Sequence, residues 1–377
     1  MACSRLGILL FPLILSAQGS FSDFQKDQAQ SFKQEKIKFI DFKKQEDRAF
    51  NSHLQKEKKA ISEYKKKLRA LWPDNDLEKP KKLVQYSKNL HTKSLIDFEH
   101  NEVIISQISP AKKISKKELL AQLRITLAMN HQKAFKQNTL EQDIDKISQG
   151  SKYVQSDFLD RKPLLSPPKE KMKIKDITLT KKGDVYQLVY KLPKNSTYKR
   201  SLNYLVAAKS NARRFNLQAQ WLLAIMHSES SFNPLARSHI PAYGLMQIVP
   251  KSAGIDSYRF LYKKRRLLSA SYLYNTKNNI EMGSAYFHIL YYKYLSSIKK
   301  PLSRLYCAMA AYNTGAGNVA WAFTRSNSVK KASKIINTMT PAQVYTHLRK
   351  NLRYDEPKHY LKNVRERSLS YQKLYNL

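Results

Sequence analysis

Cysteine is almost absent from this sequence. The only two cysteines among 377 residues are Cys3 and Cys307, and Cys3 lies in an N-terminal segment that has the pattern of a cleavable signal. Cys307 would then remain alone, so the sequence predicts no intrachain disulfide. Because Cys307 lies within the apolar run 305–311, we expect it to be a small residue of the core.

The motifs of several common enzyme classes are also missing. The sequence has no Gly-x-Ser-x-Gly motif, so a serine nucleophile on a strand-to-helix turn is not supported. It has neither a phosphate-binding loop nor a dinucleotide fingerprint, and His227 and Glu229 are spaced wrongly for a helical zinc pair. We therefore predict that the protein uses no cofactor and no metal.

Carboxylates are scarce in the second half of the chain. From Ser201 to the end they are only Glu229, Asp256, Glu281, Asp355, Glu356 and Glu366. Ordinary glycosidases use two carboxylates on either side of the bond they cleave. No other acid lies close to Glu229 in sequence, although folding could bring Asp256 or Glu356 near it. If neither arrives, a reaction at Glu229 must proceed with a single acid/base.

Positive charge, by contrast, is abundant. The formal net charge is +39 and the sequence pI is about 10.0. Such a charge favours a polyanionic partner, which could be nucleic acid, an anionic membrane surface or a negatively charged wall polymer. Zinc-ligand spacing, an aromatic RNA-binding stretch and a concentrated basic recognition helix are all missing, so no nucleic-acid partner is expected.

Composition divides the chain into four segments. Residues 1–19 have the pattern of a secretory signal: Arg5 is the positive start, residues 6–15 are apolar, and Ala17-Gln18-Gly19 is a small-residue cleavage site. An uncleaved membrane anchor is the alternative, although the apolar run is short for one. The other segments are predicted to be a basic helical arm (20–70), a small α+β domain (71–195) and a mostly helical domain (196–377).

The predicted fold class is therefore α+β, with helices dominating the C-terminal half. Alternating and apolar patterns predict strands at 82–86, 94–98, 102–106, 172–180 and 185–192. Ser115 with Glu118, and Thr340 with Pro341 and Gln343, are typical helix starts. Helices are predicted at 116–129, 201–215, 217–227, 280–297, 302–312, 319–325, 341–351 and 359–374.

One helix delivers an acid to a polar loop. Asn216 is its predicted N-cap, residues 221–226 are apolar, and Glu229 comes where Ser230, Ser231, Asn233 and Pro234 break the pattern. Partial burial raises the pKa of such a carboxyl group, which could then donate a proton near neutral pH. Helix-terminal glutamates are commonly only solvated, so this pattern alone does not define a site.

Four stretches around and beyond Glu229 resemble a known family. Residues 229–238 (ESSFNPLARS) and 242–250 (AYGLMQIVP) are similar to the first two motifs of the soluble-lytic-transglycosylase domain, a lysozyme-like family of glycoside hydrolase family 23. Residues 311–319 (AYNTGAGNV) resemble the third motif, and 360–364 (YLKNV), preceded by Glu356, resemble the fourth. Stretches between them, such as 252–256 and 278–286, resemble the membrane-bound lytic murein transglycosylase C family, and residues 72–190 resemble its N-terminal domain more loosely.

The resemblance implies a fold, a reaction and a set of site residues. The fold would be lysozyme-like, and the reaction would cleave the MurNAc-β-1,4-GlcNAc bond of peptidoglycan without water, leaving a 1,6-anhydromuramoyl end. Glu229 would protonate the glycosidic oxygen and then act as base on the muramoyl C6 hydroxyl. The residues implied to contact the substrate are Ser238, Gly244, Met246, Gln247, Tyr312, Asn313 and Tyr360.

The expected partner is the peptidoglycan glycan strand, with an anionic membrane surface as a second candidate. The resembled family is lipid-anchored through a cysteine after the signal, whereas 17–20 (AQGS) offers none. We expect a periplasmic protein associated with the outer membrane or the wall, in which the basic arm could act as an electrostatic tether. Two alternatives stay open: a hydrolytic muramidase, and a catalytically silent wall-binding protein.

Overall fold

A computed structural model of the chain describes residues 21–74, 76–109, 114–148, 161–165 and 177–377. The predicted signal, residues 1–19, and the beginning of the predicted strand 172–180 lie outside these ranges. The chain divides into two units, Met1–Gln55 and Lys56–Leu377. Helix α1 (Phe21–Arg69) confirms the predicted helical arm. In the part of the chain that the structure describes, no helix has both the length and the apolar character needed to cross a bilayer.

The N-terminal part of the second unit contains an antiparallel five-stranded sheet whose strand order is β1-β2-β3-β5-β4. Its strands are β1 (Lys82–Tyr86), β2 (Thr92–Asp97), β3 (Glu102–Ile108), β4 (Ile177–Lys182) and β5 (Val185–Lys191). Helices α2 (Lys116–Leu127), α3 (His131–Gln137) and α4 (Thr139–Ser148) lie between β3 and β4 in the chain. The five predicted strands are thus confirmed. Strand β1 has the predicted ends, and each of the other four differs from its prediction at one end or both.

Local sequence signals explain how these elements begin and turn. Helix α2 starts at the predicted capping box, in which Ser115 and Glu118 each accept a backbone hydrogen bond from the other. Its buried residues, Leu119 and Leu123 among them, cover the sheet. Gly183 has φ +58° between β4 and β5, a left-handed conformation that glycine adopts at no steric cost in a tight hairpin.

The C-terminal part is helical. Its helices are α5 (Ser196–Arg214), α6 (Ala219–Ser230), α7 (Ile255–Tyr262), α8 (Ala270–Tyr274), α9 (Thr276–Ile289), α10 (Pro301–Thr314), α11 (Ala316–Thr324), α12 (Val329–Thr338), α13 (Pro341–Asn351) and α14 (Asp355–Tyr375). The predicted α+β class with a mostly helical C-terminal half is confirmed. The boundaries of the predicted domains stay predictions, and one buried apolar cluster includes Leu83 and Ile105 of the sheet together with Leu222 and Leu361 of the helices.

Helix α6 is the central helix of this region. Leu222, Leu223 and Ile225 are fully buried, and the helix packs against α5 and α14. Such an all-round apolar sequence is typical of a helix enclosed by others.

The prediction that Asn216 is the N-cap of α6 was wrong. Asn216 has φ +52°, its N–H bonds to the carbonyl of Arg213, and the next N–H bonds from Leu217 to Ala212. This is a Schellman motif, so Asn216 ends α5 and α6 begins only at Ala219.

Candidate active site

Glu229 lies in the last turn of α6, where the backbone leaves the helix under strain. Ser231 and Phe232, the first two residues after α6, have φ +50° and +66°, a left-handed conformation that is uncommon for residues other than glycine. Buried contacts hold this turn: the Ser230 hydroxyl donates to the carbonyls of Met226 (3.0 Å) and Leu245 (2.8 Å). The Phe232 ring stacks on Tyr204 with 6.0 Å between centroids. The Glu229 carboxyl group therefore extends from a well-anchored helix end.

The pKa of Glu229 is raised to about 8, chiefly by burial. The Tyr360 side chain and the charge of Lys81 lower this pKa, and the charge of Glu356 raises it. Most Glu229 side chains are consequently protonated at neutral pH, so the residue can act as a general acid. The neighbouring His227 has its pKa lowered to about 2, first by burial and then by Arg367, so His227 is neutral.

Tyr360 and Tyr312 lie beside the acid. The Tyr360 hydroxyl is buried and has no hydrogen bond of regular geometry to any described residue, and it lies close enough to Glu229 for each group to influence the pKa of the other. Burial and the charge of Glu229 raise the pKa of Tyr312 as well. Its hydroxyl donates to the carbonyl of Met246 at 2.9 Å. Two predicted site residues are thus brought to Glu229.

A tight turn at residues 242–248, here called the motif turn, is held by hydrogen bonds to the side chain of Asn279. Asn279 is fully buried; its Oδ1 accepts from the Met246 N–H at 2.8 Å, and its Nδ2 donates to the carbonyls of Tyr243 and Leu273 at 2.8 Å. Gly244 has φ +74°, and a Cβ there would lie 2.4 Å from Asn279 Nδ2. Only glycine fits this position, because the turn needs both the conformation and the space.

The side chains of Met246 and Gln247 have different surroundings. The Met246 side chain is fully buried, and a Cβ on Gly283 would lie 2.4 Å from its sulfur. The structure therefore places Met246 in the core, where a substrate cannot reach its side chain, and this corrects the predicted contact. Gln247 donates through Nε2 to the carbonyls of Ala236 (3.1 Å) and Gly244 (3.0 Å), while its Oε1 has no partner among the described residues.

A second carboxyl group influences the acid electrostatically. Glu356, in the first turn of α14, is exposed and accepts a hydrogen bond from Asn313 Nδ2 at 3.2 Å. Its charge raises the pKa of Glu229, so folding brings Glu356, and with it Asn313, towards the acid. Asp256 instead accepts from the Tyr294 hydroxyl at 2.9 Å and lines a separate cavity of about 470 Å³ with Arg259.

Ser238 and Lys81 complete the account of this region. The Ser238 hydroxyl donates to the carbonyl of Ile240, and within the described residues no contact joins Ser238 to Glu229. Lys81, just before β1, pairs with Glu99 at 2.5 Å and lowers the pKa of Glu229. Asn233 Nδ2 donates to the Pro80 carbonyl at 3.2 Å. Lys81 and Asn279 were not predicted as site residues, because only folding brings them to this region.

The described residues contain no group of three or more His, Cys, Asp or Glu side chains that could hold a metal ion. What the arrangement offers is proton transfer: one largely protonated carboxyl group, two buried tyrosine hydroxyls, and a second, exposed carboxyl group.

Comparison with known proteins agrees with the motifs. Residues 207–335 match the family model of the transglycosylase SLT domain. The membrane-bound lytic murein transglycosylase C of Klebsiella pneumoniae is 41% identical over 189 residues, which are 50% of this chain and 52% of that protein. The protein of the same name from Serratia proteamaculans is 38% identical over the same shares. Residues 207–335 are thus similar to this domain family, and the chain spans about half the length of the curated relatives it matches.

Among solved structures, an inactive mutant of the lytic transglycosylase Slt from Pseudomonas aeruginosa is similar to this chain. The two are 25% identical over 45% of this chain and 24% of that one, with a TM-score of 0.33.

Proposed function

We propose that this chain is a peptidoglycan lytic transglycosylase that cleaves the MurNAc-β-1,4-GlcNAc bond without water and leaves 1,6-anhydromuramoyl ends. One observation carries the proposal: within the SLT domain, Glu229 has its pKa raised to about 8 by burial, beside two buried tyrosines. A glycosidic oxygen is a poor leaving group unless it is protonated, and Glu229 can supply that proton at neutral pH.

The reaction needs only this one group as acid and base. Glu229 protonates the glycosidic oxygen as the C1–O bond breaks, and the resulting carboxylate then takes the proton of the muramoyl C6 hydroxyl. That oxygen bonds to C1, so the anhydro ring closes and Glu229 ends protonated, as it began. Because the attacking hydroxyl belongs to the same sugar, proximity replaces the second carboxylate of ordinary glycosidases.

The other predicted residues would bind and orient the glycan. Tyr360 and Tyr312 would hold the Glu229 carboxyl group and the sugar, and Asn313 would line the groove beside Glu356. Gly244 and Gln247 would shape the motif turn, to which Met246 contributes its carbonyl. Ser238 would act from the adjoining loop.

A hydrolytic muramidase is the second candidate, and one observation favours it. Glu356 is an exposed carboxylate whose charge reaches Glu229, so it could activate a water molecule opposite the acid, as in inverting glycosidases.

Digestion of purified sacculi tests both candidates. We expect the wild-type protein to clear the suspension and to release fragments whose mass is one water lower than that of reducing-end fragments. Glu229→Gln keeps the shape of the side chain and removes only the proton, so we expect a folded protein that releases nothing. Reducing ends from the wild-type protein would establish the muramidase instead, and binding without any release would indicate a silent wall-binding protein.

We further propose that the protein acts in the periplasm, where its positive charge attracts it to the wall or to the anionic surface of the outer membrane. A predominantly cationic protein binds such surfaces in a salt-dependent manner. Complete release from membranes by washing at low salt would contradict the membrane association.

A further inference from the structure

A buried ion cluster lies next to the SLT motifs, built from side chains that are far apart in sequence. The guanidinium group of Arg237 is paired with Glu141 (Nη1 to Oε1, 2.9 Å) and with Glu57 (Nη2 to Oε2, 3.2 Å). Arg237 is 7% exposed and each of the two acids is 2% exposed. Burial alone lowers the pKa of Arg237, but the charge of Glu141 and the other neighbours raise it well above its usual range. The guanidinium group of Arg237 is therefore charged inside the protein.

Two tyrosines donate hydrogen bonds to the same two acids. The Tyr243 hydroxyl donates to Glu57 Oε1 at 3.2 Å, and the Tyr274 hydroxyl donates to Glu141 Oε2 at 2.9 Å. Buried charges are costly unless hydrogen bonds satisfy them, and here both oxygens of each acid have donors. We call Arg237, Tyr243, Glu57, Glu141 and Tyr274 the acid clamp.

The acid clamp holds both ends of the motif turn. Arg237 and Tyr243 are paired by a β-bridge, and Tyr243 is bridged in turn to Ile248. The Gly244 N–H donates to the Ala236 carbonyl at 2.8 Å. The residues before the turn and the residues at its end are thus both bridged to Tyr243. Tyr243 and Arg237 are in turn held by Glu57 and Glu141.

The motif turn also accepts hydrogen bonds from two residues that border Glu229. Its Leu245 carbonyl accepts from Ser230, the residue directly after Glu229, at 2.8 Å. Its Met246 carbonyl accepts from the hydroxyl of Tyr312 at 2.9 Å. A shift of the turn would therefore move two groups that border Glu229.

We propose that Arg237 is a positioning residue for the reaction, and that Glu57 and Glu141 hold it and thereby fix the motif turn against Glu229. Both acids precede the SLT-matched region 207–335; Glu57 lies in α1 and Glu141 in α4. The part of the chain before the SLT domain is then a component of the catalytic unit. The consequence for turnover rests on the proposed function, whereas the consequence for the turn does not.

The test uses the full chain with the clamp made neutral. Removal of Arg237 alone would leave two buried carboxylates unpaired and could unfold the protein. The triple variant Arg237→Met, Glu57→Gln and Glu141→Gln avoids this, because no ionised group of the Arg237–Glu57–Glu141 triad remains. We expect it to fold, to exchange the amide hydrogens of residues 244–248 about tenfold faster or more, and to lose about 100-fold in kcat. KM should change less than kcat, because the turn contacts residues that border Glu229, the group proposed to transfer the proton.

Two further variants make the result specific. Leu123→Ala opens a cavity where α2 covers the sheet, because Leu123 of α2 is fully buried. It therefore destabilises the part of the chain before residue 207 without removing a side chain of the clamp. It should leave both exchange of 244–248 and kcat at wild-type values below its melting temperature. Arg237→Lys keeps the positive charge, but lysine has no planar guanidinium group that can pair with two carboxylates at once. We therefore expect its kcat to lie between those of the triple variant and the wild-type protein.

A folded triple variant with wild-type exchange and wild-type kcat would overturn the proposal, as would equal losses in the Leu123→Ala variant. If the wild-type protein itself cleaves no peptidoglycan, the proposed function fails. Exchange of 244–248 then still decides whether the clamp holds the turn.

Discussion

At the scale of single residues, the protonation state of Glu229 results from neighbours that act in opposite directions. Burial raises its pKa most, Tyr360 and Lys81 lower it, and Glu356 raises it. Lys81 comes from the segment before the sheet and Glu356 from the start of the last helix, so distant parts of the chain set one proton equilibrium.

Neutralising Glu356 should lower the pKa of Glu229, because a like charge that disfavours ionisation is removed. In Glu356→Gln we therefore expect the alkaline limb of the kcat/KM profile to move to lower pH. Asp355→Asn is the matched control, since Asp355 is the preceding residue, is also exposed and pairs with Lys358 at 2.9 Å. An unchanged limb in Glu356→Gln, or an equal shift in both variants, would contradict this assignment.

The raised pKa of Glu229 also predicts a pH-dependent stability. Its pKa is about 8 in the folded state against an ordinary value of 4.5, so between these values the folded state binds more protons than the unfolded state. Stability contributed by the protonated group is present below about pH 4.5 and is lost as pH rises through about pH 8. Glu229→Gln carries no such penalty, and we expect it to exceed wild-type stability by about 1–3 kcal/mol at pH 9. Urea unfolding at acidic and alkaline pH measures this, and a difference that did not grow with pH would refute it.

The sequence identified Glu229 correctly as a partly buried acid at a helix end, because an apolar helix followed by a polar break is a local pattern. It could not decide between Asp256 and Glu356 as the second acid. That choice depends on where α14 begins relative to α6, which is a property of packing.

At the scale of elements, the motif turn is held by contacts that tolerate no added atoms. Gly283→Ala in α9 would place a Cβ 2.8 Å from the Met246 Cβ, and we expect about 1–3 kcal/mol of destabilisation from overpacking. Gly317→Ala in α11 is the control: its nearest neighbour would be Asn327 Cβ at 3.4 Å, so alanine should be neutral or slightly stabilising there. Thermal unfolding of both variants tests the contrast, and equal melting temperatures would contradict it.

Elements with a strong local start or stop were predicted most closely. Strand β1 and helix α13 match their predicted ranges of 82–86 and 341–351, the latter because Thr340, Pro341 and Gln343 fix its first turn. The short helices α3, α4, α7, α8 and α12 were missed. They have few turns in which periodicity can show, and α8 has only five residues, so tertiary packing maintains it.

At the scale of the whole molecule, the positive charge is not concentrated in the arm. Helix α1 contains 14 Lys and Arg against 8 Asp and Glu, whereas residues 201–377 contain 27 against 6. The attraction to an anionic polymer should therefore come mostly from residues 201–377. The sequence had instead suggested the basic arm as the tether.

Deleting residues 20–55 should accordingly leave most of the binding to sacculi intact, while raised salt should weaken binding by both proteins. Co-sedimentation at low and high salt measures this. A deletion variant that no longer binds at low salt would restore the arm as the tether. The deletion keeps Glu57, so the acid clamp stays complete.

Composition alone separated a sheet-containing part from a helical part, and the structure has both. It gave no sign that the two share buried residues or that Glu57 and Glu141 meet Arg237. Glu57 and Glu141 lie 180 and 96 positions before Arg237. Side chains so far apart in sequence have no local signature, so only the folded protein could show their pairing.

Because Cys307 is buried, its reaction with a thiol reagent can report the unfolding of this protein. Its sulfur is fully enclosed and burial raises the pKa of the thiol, so an alkylating reagent cannot attack the native chain. In a protein produced from Ser20 onward, brief exposure to such a reagent would mark only molecules that have opened, and the marked fraction would report opening rates with no engineered label.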